Sequence, residues 1–221
     1  MDGNGRWAAK RGLPRKFGHR EGAAVFKKIA DHCIDIGIKY VTFYAFSTEN
    51  WKRPDDEVNA LMELFDKYLD DVYEYAEKKT RVVFLGDKSP FRPSIQDKML
   101  KLEEQTRNFD RCTIMLAMNY GGRDDIVYAA KKAAELVKSG HIAPEEIDEQ
   151  LFGELLYTGN APDVDLVVRP GGEHRLSNFL IWQCAYAEFW SCDTLWPDFK
   201  PSDLDRAIDD FSERNRRFGS C

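Results

Sequence analysis

Apolar residues recur along the first part of the chain with two different periods. Residues 22–36 place apolar side chains three or four positions apart, and Gly37 follows them, which predicts a helix that ends at this glycine. Residues 39–46 (KYVTFYAF) are rich in β-branched and aromatic side chains and predict a strand. The helical spacing returns after Pro54 and continues to about residue 78. The predicted order is therefore strand, loop, helix.

The same order repeats along the rest of the chain. Strands are predicted at residues 81–85, 113–118 and 164–169, and helices are predicted after Pro93 and over residues 124–138. Alternation at this spacing indicates right-handed βαβ units and a mostly parallel sheet. The chain has 221 residues and no Pro-rich or Ser-rich linker. We therefore expect residues 1–221 to form a single α/β domain, with a central, mostly parallel sheet flanked by helices.

Composition and charge narrow the class of protein. The chain is 43% hydrophobic and 32% charged, which is typical of a globular domain. No apolar run approaches the roughly 20 residues that a membrane span needs, and the N-terminus lacks the pattern of a signal peptide. The formal charge of -6 argues against a nucleic-acid partner. The five cysteines form no C-x-x-C pair, so we expect reduced thiols in the cytoplasm and no structural zinc.

Polar segments follow three of the predicted strands. They are residues 47–53 (STENWKR), 119–123 (NYGGR) and 169–178 (RPGGEHRLSN). The carboxyl ends of parallel strands meet at one edge of a sheet, and ligands of open α/β sheets bind there. Each segment alone is typical of an ordinary turn. Their shared placement predicts a binding site.

The first seven residues (MDGNGRW) have the chemistry of a phosphate-binding loop. Glycine and asparagine tolerate positive φ, so successive N–H groups can point at one anion. Asp2 adds a carboxylate that suits Mg²⁺. Arg15 and His19 lie just before the predicted helix, whose N-terminal dipole attracts a diphosphate. The alternative is a flexible terminus with a solvated basic run.

A rival motif overlaps this segment. Gly3-x-Gly5-x-x-Ala8 matches the dinucleotide-binding fingerprint and would indicate a nicotinamide-dependent oxidoreductase. That fingerprint requires a preceding strand and a helix that follows at once, whereas Gly12 and Pro14 interrupt the sequence here. The oxidoreductase is kept as an alternative.

Six motifs in order, MDGNGRWA, FGHREGA preceded by Arg15, YAFSTENWKRP, NYGGR, RPGGEHRLSNFLIWQCAYAEFW and LWPDF, give the chain a family resemblance. Together they resemble the cis-prenyltransferases, and in particular the bacterial undecaprenyl diphosphate synthases. The resemblance extends to residues 217–219 (RFG), which are similar to a C-terminal Arg-x-Gly motif that reaches the partner's phosphate site. An apolar strand runs directly into the first motif in this family, so we expect Met1 to be an internal residue of a longer chain.

The resemblance implies an activity. These enzymes ionise an allylic diphosphate, let the double bond of isopentenyl diphosphate attack the carbocation-like centre, and remove a proton to leave a cis double bond. We therefore expect a homodimer that uses Mg²⁺, starts from farnesyl diphosphate and makes undecaprenyl diphosphate, the lipid carrier precursor for cell-wall synthesis. The growing chain would occupy a hydrophobic tunnel, and peripheral membrane contact would release it. A catalytically silent subunit is the second alternative.

The resemblance also assigns roles to individual residues. Asp2 and Asn50 are the expected catalytic residues, although an amide is a poor base, the released diphosphate could take the proton, and Asn50 could instead order its loop. The metal ligands would be Asp2, Glu188 and His174, with a buried salt bridge at a subunit interface as the alternative for Glu188. The residues expected to bind the two substrates are Gly3, Asn4, Gly5, Arg6, Trp7, Arg15, His19, Ser47, Thr48, Glu49, Trp51, Arg53, Arg169, Arg175, Leu176 and Ser177.

Five aromatic residues near the C-terminal motifs are expected in the core and at the dimer contact rather than around a ligand. They are Trp182, Tyr186, Phe189, Trp190 and Trp196.

Overall fold

A computed structural model describes residues 1–71 and 74–214. Its strands are β1 (Tyr40–Ser47), β2 (Thr80–Leu85), β3 (Cys112–Tyr120), β4 (Leu166–Pro170) and β5 (Glu188–Cys192). Its α-helices are α1 (Asn4–Ala9), α2 (Arg15–Asp35), α3 (Asp55–Asp71), α4 (Glu74–Glu77), α5 (Pro93–Thr106), α6 (Gly122–Lys138), α7 (Glu149–Leu155) and α8 (Pro201–Ser212). The α/β class predicted from the sequence is confirmed.

All pairs between the described strands are parallel, as predicted, but they form two hydrogen-bonded groups. The first has the order β1-β3-β2, and the second joins β4 to β5. Every residue of β3 is buried, because this strand is paired on both edges and covered on both faces. Consecutive residues of β1 and of β4 line one large cavity, which shows that the edges of both strands face it.

Two apolar clusters lie on the two faces of the three-stranded group. Ile114 and Leu116 of β3 belong to the cluster that includes residues of α2, α3 and α5, whereas Met115 and Ala117 face the second cluster. This alternation follows from the period of two along a strand. The buried free thiol of Cys33 belongs to the first cluster, and burial raises its pKa to about 12, so it stays neutral.

Helix α2 begins seven residues earlier than the sequence predicts. Gly18 and Gly22 lower the helical propensity of this segment, but both lie inside the helix. A Cβ at Gly18 would lie 2.0 Å from the carbonyl oxygen of Asn4, and one at Gly22 would lie 2.2 Å from Asn4 Oδ1. The glycines are therefore needed for the close contact between α1 and α2. In consequence, His19 lies within α2 and not before it.

Other elements differ from the sequence prediction in smaller ways. The predicted helix over residues 54–78 corresponds to α3 and α4, and residues 72–73 lie outside the described residues. Helices α1, α7 and α8 and strand β5 were not predicted. No helix in the described part of the chain has both the length and the hydrophobicity that a membrane crossing requires.

Candidate active site

A cavity of about 1200 Å³ lies between β1, β4 and the helices α2 and α3. Its polar residues lie near the carboxyl ends of the strands, where Ser47 ends β1 and Arg169 lies one residue before the end of β4. Along α2 the lining runs from His19 to Cys33, which at 1.5 Å per residue is a wall of about 21 Å. The rest of the lining is mainly apolar. The cavity therefore joins a charged end to a long hydrophobic space.

Asp2 and Arg169 meet at the charged end. Arg169 Nη2 donates to Asp2 Oδ2 over 3.0 Å, and Arg6 Nη2 lies 3.3 Å from Asp2 Oδ1. Burial acts to raise the pKa of Asp2, but the hydrogen bond and charge of Arg169 and the charge of Arg6 outweigh it, so the pKa lies below its usual value. The carboxylate is therefore ionised at neutral pH. Gly3, next in the chain, has φ of 98°, which allows the tight turn into α1.

The loop after β4 wraps around Arg169. Arg169 Nη1 donates to Ser177 Oγ over 2.9 Å and also to the carbonyl oxygen of Arg175. Ser177 has a positive φ of 51°, which turns the chain back toward the strand. Arg175 in turn pairs with Glu173 over 2.6 Å. The Arg169 guanidinium and the Ser177 hydroxyl thus lie together where a diphosphate can bind, and Arg175 and Leu176 also line the cavity.

The loop after β1 is tied to its neighbours by side chains. The Ser47 N–H donates to Asn50 Oδ1 over 3.1 Å, so the loop-ordering hydrogen bond considered for Asn50 is present. Trp51 Nε1 donates to Asn119 Oδ1 over 2.8 Å, and Asn178 Nδ2 donates to Glu49 Oε1 over 2.9 Å. These contacts join the three polar loops predicted from the sequence at one edge of the strands.

Thr48 and Trp51 are not among the cavity-lining residues, whereas Ser47, Glu49 and Asn50 are. Thr48 packs beside Gly121. A Cβ added at Gly121 would lie 2.9 Å from the hydroxyl oxygen of Thr48. Thr48 and Trp51 therefore support the loop, and their neighbours face the cavity.

A second group of basic side chains surrounds Glu57 of α3. Arg15 Nη1 and Arg53 Nη1 donate to its two carboxylate oxygens over 2.8 and 2.9 Å, and His19 Nε2 lies 3.5 Å away. The sequence analysis named the three basic residues but missed Glu57. The only signal was its position four residues after Arg53, a spacing that favours an ion pair on a helix.

Trp7 lies away from the cavity, whereas Asp2 and Asn4 line it. Its Nε1 donates to Asp198 Oδ1 over 2.7 Å, and the Arg11 guanidinium lies 4.0 Å from the ring centroid. Trp7 thus anchors α1 to the segment before α8. Gly5 lies within α1 beside the Arg15 guanidinium, since a Cβ there would lie 3.0 Å from Arg15 Nε.

Asp2, Glu188 and His174, the predicted metal ligands, do not form a cluster within the described part of one chain. Among those residues, no group of three His, Cys, Asp or Glu side chains could hold a metal ion. Glu188 pairs with Arg214 over 2.8 Å, and His174 Nδ1 lies 2.8 Å from Ser191 Oγ.

Strand geometry explains the separation. Glu188 pairs with Leu166 at the amino ends of β5 and β4, whereas Ser191, which His174 contacts, pairs with Arg169 near their carboxyl ends. Three residues along a strand correspond to about 10 Å. Within one chain Glu188 therefore lies at the opposite end of the strands from Arg169 and its partner Asp2, and the metal-ligand role expected for Asp2, Glu188 and His174 stays a prediction.

Asp2 fits Mg²⁺ without the other two residues. It supplies a half-exposed, ionised carboxylate at the charged end of the cavity, and Mg²⁺ is commonly held by one or two carboxylates together with substrate phosphates.

The dinucleotide-binding alternative has no structural support. Gly5 and Ala8 of its fingerprint lie within α1, a helix of only six residues, whereas the fingerprint opens the full-length helix of a βαβ unit. The fingerprint needs a turn between a strand and a helix.

Comparisons with known proteins agree with this geometry. A family model described as "Putative undecaprenyl diphosphate synthase" matches residues 1–219. The isoprenyl transferase of Clostridium perfringens is 50% identical over 99% of this chain and 87% of its own length. The ditrans,polycis-undecaprenyl-diphosphate synthase ((2E,6E)-farnesyl-diphosphate specific) of Xanthomonas axonopodis pv. citri is 46% identical over 99% of this chain and 86% of its own length.

A solved structure agrees as well. Lavandulyl diphosphate synthase from Lavandula x intermedia, crystallised in complex with dimethylallyl diphosphate, superposes with a TM-score of 0.96. The two sequences are 36% identical, and the match covers 100% of this chain and 95% of the lavandulyl diphosphate synthase chain. With the motifs, the cavity and these matches in agreement, the chain belongs to the undecaprenyl diphosphate synthase family and is a cis-prenyltransferase.

Proposed function

We propose that the chain extends farnesyl diphosphate by repeated addition of isopentenyl diphosphate, and that its product is undecaprenyl diphosphate. The observation that carries the proposal is the single cavity with a cationic end and a long apolar space, which suits a lipid with a diphosphate head. A relative at 46% identity is named as specific for farnesyl diphosphate and as an undecaprenyl diphosphate synthase. The product would serve as the lipid carrier precursor for cell-wall synthesis.

The two cationic groups suit the two diphosphates. The allylic diphosphate would bind between the N–H groups of residues 3–6 and the side chains of Arg15, His19 and Arg53. Isopentenyl diphosphate would bind Arg169, Arg175 and Ser177, which would align its double bond with the allylic carbon.

Bond making and breaking then follow from this arrangement. The allylic C–O bond breaks and its electrons leave with the diphosphate, where preorganised donors stabilise the charge. The alkene electrons of isopentenyl diphosphate form the new C–C bond, and a proton leaves to generate the cis double bond. Because the Asn50 amide oxygen accepts from the Ser47 N–H, we assign Asn50 to ordering the loop and the released diphosphate to accepting the proton.

We further propose Mg²⁺ as the cofactor, with Asp2 as its ligand in this chain. The metal would neutralise charge on the diphosphates. The role of Asp2 before substrate binds is to hold Arg169 and Arg6 at the charged end.

Replacing Asp2 tests the proposed function directly. With farnesyl diphosphate, labelled isopentenyl diphosphate and Mg²⁺, we expect Asp2→Asn to lower incorporation into extracted lipid by at least about 100-fold, the cost of removing one preorganised electrostatic group. EDTA should abolish wild-type activity, and added Mg²⁺ should restore it.

The matched control for this assay is Asp56→Asn, an exposed carboxylate of the first turn of α3, which should retain activity. Full activity of Asp2→Asn or of the EDTA-treated enzyme would refute the assignment. Activity that appears only when another protein is added would instead support the silent subunit.

The apolar part of the cavity should set product length. Leu61 of α3 is buried and lines this space. A tryptophan there would fill it, so we expect Leu61→Trp to shift the products to shorter chains, measured by chromatography of the dephosphorylated lipids. Leu100→Trp, on the exposed face of α5, should leave chain length unchanged. Products of wild-type length from Leu61→Trp would show that the lipid lies elsewhere.

We also propose a homodimer. Tyr186 is 64% exposed and Phe189 is 39% exposed, and they lie on either side of Glu188 in the sequence. Of the other aromatics considered, Trp190 and Trp196 lie in the core. The motif at residues 217–219, expected to reach the partner, lies outside the described residues.

Sedimentation measures the oligomeric state. We expect a mass of twice 25.5 kDa for the wild type and a shift to monomer for the double variant Tyr186→Glu, Phe189→Glu, because two charges in an apolar interface are costly. Val127→Glu, an equally exposed apolar position on α6, should stay dimeric. A wild-type monomer at micromolar concentration would contradict the proposal.

A peripheral membrane contact from the cytoplasm is proposed for the turn between α1 and α2. Residues 9–17 are all exposed. They include two large apolar side chains, Leu13 and Phe17, among four basic residues and no acidic one. Such a surface suits an anionic bilayer, in which apolar side chains insert and lysines meet the headgroups.

Vesicle sedimentation tests this contact. We expect the wild type to bind phosphatidylglycerol-containing vesicles, and the double variant Lys10→Glu, Lys16→Glu to bind at least about tenfold more weakly, since each basic residue contributes about 1 kcal/mol at such a surface. The matched control is Lys131→Glu, Lys132→Glu on α6. Equal binding by both double variants would exclude the 9–17 segment as the contact.

A further inference from the structure

Glu57 lies where three elements of the charged end meet. It belongs to the first turn of α3, Arg15 and His19 belong to α2, and Arg53 follows the loop after β1. The Glu57 side chain is only 9% exposed, and its two oxygens are shared among the three basic side chains. The three basic residues are the ones that the proposed function gives to the allylic diphosphate.

Each arginine uses one terminal nitrogen for Glu57. Arg15 donates from Nη1 to Oε2, and Arg53 donates from Nη1 to Oε1. A guanidinium carries five N–H donors in a fixed plane, so the remaining donors of each side chain keep a defined direction. Arg53 and His19 line the cavity, and Arg15 Nε faces Gly5 in the first turn of α1. The free edges of these groups therefore lie on the side where a diphosphate would bind.

Glu57 also offsets the repulsion within this group. Burial lowers the pKa of His19 and the charge of Arg53 lowers it further, whereas Glu57 raises it. Burial acts to raise the pKa of Glu57 itself, but the hydrogen bond from Arg15 and the charges of Arg53 and Arg15 outweigh this, so the carboxylate is ionised at neutral pH. Without it, two guanidinium groups would face each other with no counter-charge.

We propose that Glu57 is a positioning residue for the allylic diphosphate: it fixes Arg15, Arg53 and His19 in one arrangement, with their remaining donors directed at the phosphate loop. It acts through these side chains and does not touch the substrate. The inference rests on the proposed function, because that function assigns the three basic residues to the allylic substrate. It goes further by giving a role to an acidic residue in a site for anions.

Steady-state kinetics separates the two substrates. We expect Glu57→Gln to raise the KM for farnesyl diphosphate at least about tenfold, since two arginines lose a charged hydrogen-bond partner. The KM for isopentenyl diphosphate should stay within about twofold, because Arg169 and Arg175 have other partners. Glu57→Asp keeps the charge on a shorter side chain and should give an intermediate KM. Glu63→Gln, an exposed acid on the same helix, is the matched control.

The titration of His19 gives a second readout, which a general loss of stability would not change. In the ligand-free protein we expect Glu57→Gln to lower the pKa of His19, because the carboxylate opposes the effects of burial and of Arg53. The measurement is the NMR shift of the imidazole C–H with pH. His19 is assigned among the four histidines with a His19→Gln variant.

The outcomes distinguish this inference from the proposed function. An unchanged KM for farnesyl diphosphate in Glu57→Gln, or equal increases for both substrates, would overturn the positioning role. If the wild type makes no product, the proposed function fails, and calorimetry of farnesyl diphosphate binding then tests Glu57 alone. Equal affinity of the wild type and Glu57→Gln would overturn the inference, and so would the absence of any binding by the wild type.

Discussion

The site depends on holding several arginines close together without a bound anion. Like charges repel, and each guanidinium in the charged end has a carboxylate partner: Asp2 for Arg169, Glu57 for Arg53, and Glu173 for Arg175. These carboxylates pre-assemble a binding site for diphosphates in a chain whose net charge is -6. An anionic substrate then meets donors that are already oriented, so little reorganisation is needed when it binds.

The fold brings this charged end next to a hydrophobic space. Parallel strands place the polar loops at one edge, and α2 starts at that edge with Arg15 and then lines the cavity as far as Cys33. α3 carries Glu57 near the same edge and lines the cavity from Leu61 to Leu69. Each of the two helices therefore carries both a residue at the charged end and residues that line the apolar space, so a shift of either helix would affect both parts of the cavity.

The sequence predicted the class of fold and the edge at which the site lies, because both follow from local patterns. β-branched strands alternate with helices, and the polar loops follow the strands. Contacts between distant segments were not predictable in this way. The start of α2 at Arg15 was not predicted, because Gly18 and Gly22 lower helical propensity and their contacts with Asn4 join distant segments. Glu57 had no local pattern beyond its spacing from Arg53. Glu188 was assigned from its motif, but strand register places it at the far end of β5 from the site.

Exposure separates the tasks of the two main carboxylates. Asp2 is 35% exposed and is held by two arginines. Under the proposed function, a substrate phosphate that binds Arg169 would take the place of the Asp2 carboxylate and leave it available for a metal ion. Glu57 is 9% exposed and serves three basic side chains, so removing it from them would leave a buried, uncompensated charge. The same ion-pair chemistry therefore provides an exchangeable partner in Asp2 and a fixed one in Glu57. The difference arises because Asp2 lies in the loop before α1, whereas Glu57 is enclosed between α2 and the loop after β1.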